Sequence, residues 1–205
     1  MTRRGKRVFR GKQFSSLQRT IKIRDVKQTF LIVCEGEKTE PNYFRGFKIS
    51  SAQIQVVPTS CDPQALVRKA IEFNKTGDEP YDQVWCVFDR DDWPRQRFNE
   101  ALEIAARHKL LVACSIEAFE VWFLLHFHYM EAALNRNQYV DALNRQLGRP
   151  YRKNSETMYD ELLDHQADAI RNSKRLLGKY ETEIAYDNSP STTVFKLVEE
   201  LNKYL

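Results

Sequence analysis

The chain has 205 residues, 42% hydrophobic and 29% charged, enough to bury one proper core with a small appendage. Four cysteines, Cys34, Cys61, Cys86 and Cys114, lie far apart without a CxxC pair, three of them inside apolar runs. They read as buried thiols, so neither a zinc site nor a disulfide framework is expected. No segment approaches the roughly 18 apolar residues of a membrane span, and the start MTRRGKRVFR lacks an apolar stretch, so the expectation is a soluble cytoplasmic protein.

The net charge of +4 is unevenly spread: residues 1–27 carry ten Lys or Arg against the lone acid Asp25, which leaves −5 on the remainder. A basic N-terminal arm on a mildly acidic body suits phosphate contact, with Arg3, Arg4, Lys6 and Arg7 the leading candidates. A solubilising tail explains the same charges.

From residue 28 onward, β-forming runs alternate with stretches of helical period. Strands are predicted at 28–34, 53–58, 84–89 and 110–115, and the apolar continuity of the first, third and fourth points to burial on both faces, as in a parallel sheet. Helices are predicted at 40–47, 63–76 and 94–107, the second opened by the capping pair Asp62 and Pro63. After residue 116 no further strand is expected. The aromatic run 117–130 and the stretches 131–147, 155–178 and 190–204 carry helical spacing, the last with Ser189 and Pro190 at its start. The organisation expected is therefore a basic arm (1–27), an α/β core of about four parallel strands (28–130) and a C-terminal helical cap (131–205).

Functional groups of open α/β sheets gather beyond the carboxyl ends of the strands. The first strand here runs into Glu35 and Gly36, the third into Asp89, Arg90 and Asp91, and the fourth leads to Glu117 and Glu120. Asp89 and Asp91 stand one residue apart, so on an extended strand end both side chains face one way, and their mutual repulsion is relieved by a cation. Magnesium prefers such oxygen donors and takes one or two carboxylates. A plainer account has Asp91 or Asp92 capping the helix near Pro94 while Arg90 neutralises the group.

These residues resemble a known pattern. Glu-Gly after a first strand and Asp-x-Asp after a later one are similar to the Toprim metal site of topoisomerases, primases and some nucleases. More specifically, LIVCEGEKTEPNYF, CVFDRDDW, AFEVWFLLHF and NSPSTTVFKLVEEL resemble the RloB-like family, linked to bacterial phage resistance and restriction loci. The resemblance implies a Toprim-like (Rossmannoid) fold, magnesium or manganese held by Asp89, Asp91 and Glu35, and Glu35 as general acid or base with Glu120 as an additional site acid. It also implies a nuclease acting on nucleic acid with a partner ATPase of ABC or OLD type. The chain itself has no Walker A string, so any ATP-driven step must come from elsewhere. Two departures stand out: CSIEAFE replaces an expected Ser-Asn-Pro-Cys-Phe-Glu run, and Phe195 occupies a place where histidine is common.

Further candidates are Lys38 as a phosphate contact, and Arg149, Arg152 and Lys153 around Tyr151 as a strand-contacting patch. A solvated turn and a charged connector explain them too. His126 and His128 read as packed or half-exposed, and Ser189 to Thr193 as helix-capping hydroxyls or a phosphate seat. The competing function is a non-catalytic nucleic-acid-binding subunit. A haloacid-dehalogenase-like phosphatase is disfavoured, because its Asp-x-Asp follows the first strand. A nucleotide-sugar transferase usually has a longer chain.

Overall fold

The computed structural model describes residues 27–77, 79–182 and 184–205. The basic arm, with Arg3, Arg4, Lys6 and Arg7, lies outside the described residues.

The sheet has five strands in the order β2-β1-β3-β4-β5. β1 (Gln28–Cys34), β2 (Ala52–Pro58), β3 (Gln83–Asp89) and β4 (Leu111–Ile116) run parallel, and β5 (Ser191–Thr192) pairs antiparallel with the end of β4. Alternation along β1 splits its buried side chains between two apolar clusters. Phe30, Ile32 and Cys34 enter one, Leu31 and Val33 the other, which is why the run reads as continuously apolar.

On the Leu31 side, α2 (Pro63–Thr76) and α3 (Arg95–Arg107) lay Leu66, Val67, Phe98 and Ala101 against the sheet. Asp62 caps α2 by accepting from the Ala65 N–H at 2.9 Å, with Pro63 as the first helical residue, as its sequence predicts. On the Phe30 side pack α1 (Thr39–Arg45), α4 (Glu120–Phe127), α5 (Arg136–Leu147), α6 (Met158–Leu162), a short 3-10 turn (Leu163–His165), α7 (Gln166–Leu177) and α8 (Val194–Asn202). α4 is buried from Glu120 to His126 and runs through the centre of this layer, between α5 and α7. Trp122 and Leu124 are fully enclosed, each burial worth about 1.5–3 kcal/mol.

The α/β class and the parallel core match expectation, and the C-terminal helices differ in detail. The expected helix over 117–130 is confined to Glu120–Phe127. α5 begins at Arg136 because Asn135 and Gln138 form a reciprocal capping box, and it ends at Gly148 in the left-handed conformation. Strands do not stop at residue 116: Ser191 and Thr192 complete the sheet, so the last helix starts at Val194, after the cis Ser189–Pro190 peptide.

Candidate acidic site at the strand ends

Sheet register brings the first acids together. Cys34 pairs with Val87, and the Glu35 N–H donates to the Val87 carbonyl at 2.9 Å, so the Glu35 side chain arrives beside the end of β3. Its Oε2 accepts from the Asp89 N–H at 3.0 Å and its Oε1 from the Trp93 indole at 2.6 Å. Asp89, the last residue of β3, is only 8% exposed. Its Oδ2 accepts from the Phe119 N–H at 2.9 Å, while its Oδ1 is buried without a hydrogen-bond partner.

Asp91 joins the site by a different route from that expected. The strand ends at Asp89, and Asp91 sits in the following turn at φ 42°, so strand alternation does not place it. It pairs with Arg136 at 2.8 Å. Neither Asp91 nor Asp92 caps α3, which begins after Pro94 without a side-chain cap. Arg90 does not neutralise the aspartates: it pairs with Glu117 and lies 5.0 Å from the Tyr186 ring centroid. Glu117, at φ 89°, and Asp91 are thus two non-glycine residues in a costly backbone conformation, on neighbouring loops at the same end of the sheet.

Glu120 opens α4, where a carboxylate suits the helix's positive end. It is 3% exposed, accepts from the Tyr151 hydroxyl at 3.1 Å and stands 3.8 Å from the Lys153 ammonium. Sequence reasoning missed a further acid, Glu40, which is 7% exposed in the first turn of α1. The signal was available: Glu40 precedes Tyr43 and Phe44 by three and four residues, which puts it on the inward face of their helix. Gly36 makes room for it. A methyl group on Gly36 would meet the Glu40 carboxylate, so this carboxylate would have to shift to admit any side chain there.

Glu35, Glu37, Glu40, Asp89, Asp91 and Glu120 line one cleft of about 540 Å³, against three cations, Lys38, Arg136 and Lys153. The imbalance shows in the titration of the enclosed acids. Burial, then the charges of Glu40, Glu35 and Glu120, push the Asp89 carboxyl well above its ordinary range. Burial raises Glu35 to about 6 even though the Trp93 and Asp89 N–H groups oppose the shift. Glu40 is raised to about 7, first by burial and then by Glu120 and Glu35, with its own backbone hydrogen bond opposing.

The expected phosphate contacts divide. Lys38 and Lys153 line the cleft, whereas Arg149 pairs with Glu161 and, with Arg152, lines a separate groove beside Asn154 and Thr157. His126 is a core residue: its Nδ1 lies 2.9 Å from the Trp122 carbonyl, and burial lowers its pKa to about 4. All four cysteines are free thiols, three buried and Cys61 half-buried at the cleft. No helix among the described residues is long and apolar enough to cross a membrane.

No curated protein and no solved structure matches this chain. A protein-family model described as RloB-like protein matches residues 30–201, from β1 to the last turns of α8. The matched span contains every acid of the cleft, and the chain belongs to the RloB-like family.

Proposed function

We propose that the protein is a divalent-cation-dependent nuclease with a Toprim-like site, hydrolysing phosphodiester bonds of DNA or RNA in bacterial anti-phage defence. The observation that carries this reading is the convergence of Glu35, Glu40, Asp89, Asp91 and Glu120 in one cleft at the carboxyl end of a parallel sheet. Membership of a family linked to phage resistance supports the biological setting.

The donors suit a hard cation: they are carboxylate oxygens, in excess over local positive charge, and Asp89 Oδ1 is buried without a partner. Among the described residues no three His, Cys, Asp or Glu side chains are gathered as a ready-made metal site. Asp89, Asp91 and Glu35 would therefore have to draw closer to hold magnesium or manganese. When bound, that ion supplies Lewis acidity at the phosphate and a lowered pKa for its water. Glu35, held by two N–H donors beside Asp89, is the group placed either to move a proton or to complete the coordination of the ion. Tyr151 orients Glu120 as an additional site acid, and Lys38 and Lys153 hold phosphate oxygens at the rim.

The cleft's lysines and Arg136 fit equally a second reading, a non-catalytic nucleic-acid-binding subunit. Labelled DNA and RNA oligonucleotides incubated with magnesium, manganese or EDTA separate the two. Metal-dependent product supports the nuclease, and intact substrate under every condition supports the binding subunit. The family resemblance is what suggests a partner ATPase of ABC or OLD type, and any ATP-driven step, for which this sequence has no Walker A string, should be assayed with that partner present.

The basic arm makes its own prediction. Deleting residues 1–27 should weaken nucleic-acid binding and flatten its salt dependence, by about 0.7–0.9 in log–log slope for each phosphate the arm neutralises. Anisotropy titrations across salt concentrations measure it, and an unchanged slope would reduce the arm to a tail.

A further inference from the structure

Arg136 occupies a position that helix stability does not explain. It is the first residue of α5, where the helix's partial positive charge disfavours a cation, and the Asn135–Gln138 capping box already serves that terminus. Its guanidinium leaves the helix for the turn after β3 and meets Asp91 at 2.8 Å. The side chain stays 43% exposed, its Nε is buried without a hydrogen-bond partner, and it lines the same cleft as Asp89 and Glu120. Burial works against its charge, but the fields of Asp91, Asp89 and Glu120 outweigh it, so the group stays protonated.

A guanidinium offers five N–H donors in a fork matched to carboxylate or phosphate. A carboxylate that turns to a divalent cation gives up much of its attraction for a neighbouring guanidinium, and a polyanion in the cleft provides the replacement. We propose that Arg136 is a substrate-phosphate contact held in reserve by Asp91, exchanging that carboxylate for a phosphate oxygen when Asp91 takes a divalent cation. This rests on the nuclease reading for the role of Asp91 and deepens it. The second half of the chain supplies a cation that couples metal binding to substrate binding. By reciprocity, nucleic acid must then tighten the metal by the same factor.

The test is anisotropy of a labelled oligonucleotide on the full chain, with calcium absent or saturating, for wild type, Arg136→Gln, Arg136→Lys, Asp91→Asn and the Asp91→Asn/Arg136→Gln double variant. With calcium, R136Q is expected to lower the salt slope by about one and R136K to restore most of it. Without calcium, D91N is expected to bind about threefold to tenfold more tightly than wild type, and this gain should vanish in the double variant. A gain that persists there is simple charge removal and overturns the exchange. An unchanged slope in R136Q overturns the phosphate contact. If R136Q fails to fold, judged by its thermal melt, R136K decides: calcium tightens wild-type binding, and undiminished tightening in R136K overturns the forked exchange. Since every readout is binding, cleavage stays independent. An inactive chain that passes sinks the nuclease alone, and an active chain that fails sinks Arg136 alone.

Discussion

Asp89→Asn is expected to lower magnesium-dependent cleavage by about a thousandfold or more, while leaving the melting temperature unchanged or raised. The fall in rate follows from removing the central charge of the proposed cation site, since metal stabilisation of a phosphoryl transition state is worth several kcal/mol. The retained fold follows from the hydrogen bonds. An asparagine carbonyl still accepts the Phe119 N–H, and the neutral amide removes a buried charge at the position where Asp89 Oδ1 has no partner. A carboxyl whose pKa burial and then Glu40, Glu35 and Glu120 push upward is one the fold prefers neutral. Activity and stability should therefore move in opposite directions, the mark of charge retained for chemistry. Steady-state cleavage rates and thermal melts on the same preparation measure both. A variant with near-wild-type activity would remove Asp89 from the mechanism, and a large fall in melting temperature would show that its charge is structural.

Glu40→Gln is expected to stabilise the protein at pH 8 and to have little effect below pH 4. Glu40 titrates at about 7 in the fold against an ordinary value of 4.5, because burial first and Glu120 and Glu35 next disfavour its charge. Between those values the folded chain holds a proton that the unfolded chain has released, so stability falls as pH rises through the window. Glutamine lacks the titration and escapes the penalty. The benefit at pH 8 has an upper size of about 3–4 kcal/mol, the difference of about 2.5 between those pKa values at about 1.36 kcal/mol each, or about 7–14 °C in melting temperature, shrinking toward zero in acid. Melts of both proteins from pH 4 to 8 trace the curve. Parallel curves would show that Glu40 is compensated by a partner.

Much of the fold is legible in the chain because burial on both faces leaves an unmistakable trace. β1 and β3 are apolar through most of their length, and α2 carries Asp62 and Pro63 at its start, so their positions follow from local chemistry. β5 leaves no such trace: Ser191 and Thr192 become a strand only by pairing with Ser115 and Ile116, far earlier in the chain. The site divides the same way. Glu35, Asp89, Asp91 and Glu120 stand at or just beyond element ends where the α/β rule directs attention, and the structure gathers them in one cleft. Asp91 arrives through a left-handed turn, which residue spacing does not reveal. Glu40 opens the predicted helix 40–47 as an ordinary first-turn acid, and only its phase with Tyr43 and Phe44 betrays its burial. Arg136 and the Trp93–Glu35 hydrogen bond depend on tertiary approach, beyond any local pattern.

The β4–β5 pairing ties the outer edge of β4 to residues synthesised much later in the chain. The backbone N–H that holds Asp89 belongs to Phe119, on the loop leaving β4, and that strand's outer edge is closed by residues 191 and 192. A chain emerging from the ribosome presents Glu35, Asp89 and Asp91 early, then waits for most of its remaining length before the last strand can dock. Translation thereby separates the making of Asp89, and of the Phe119 N–H that holds it, from the closing of the strand edge next to that loop.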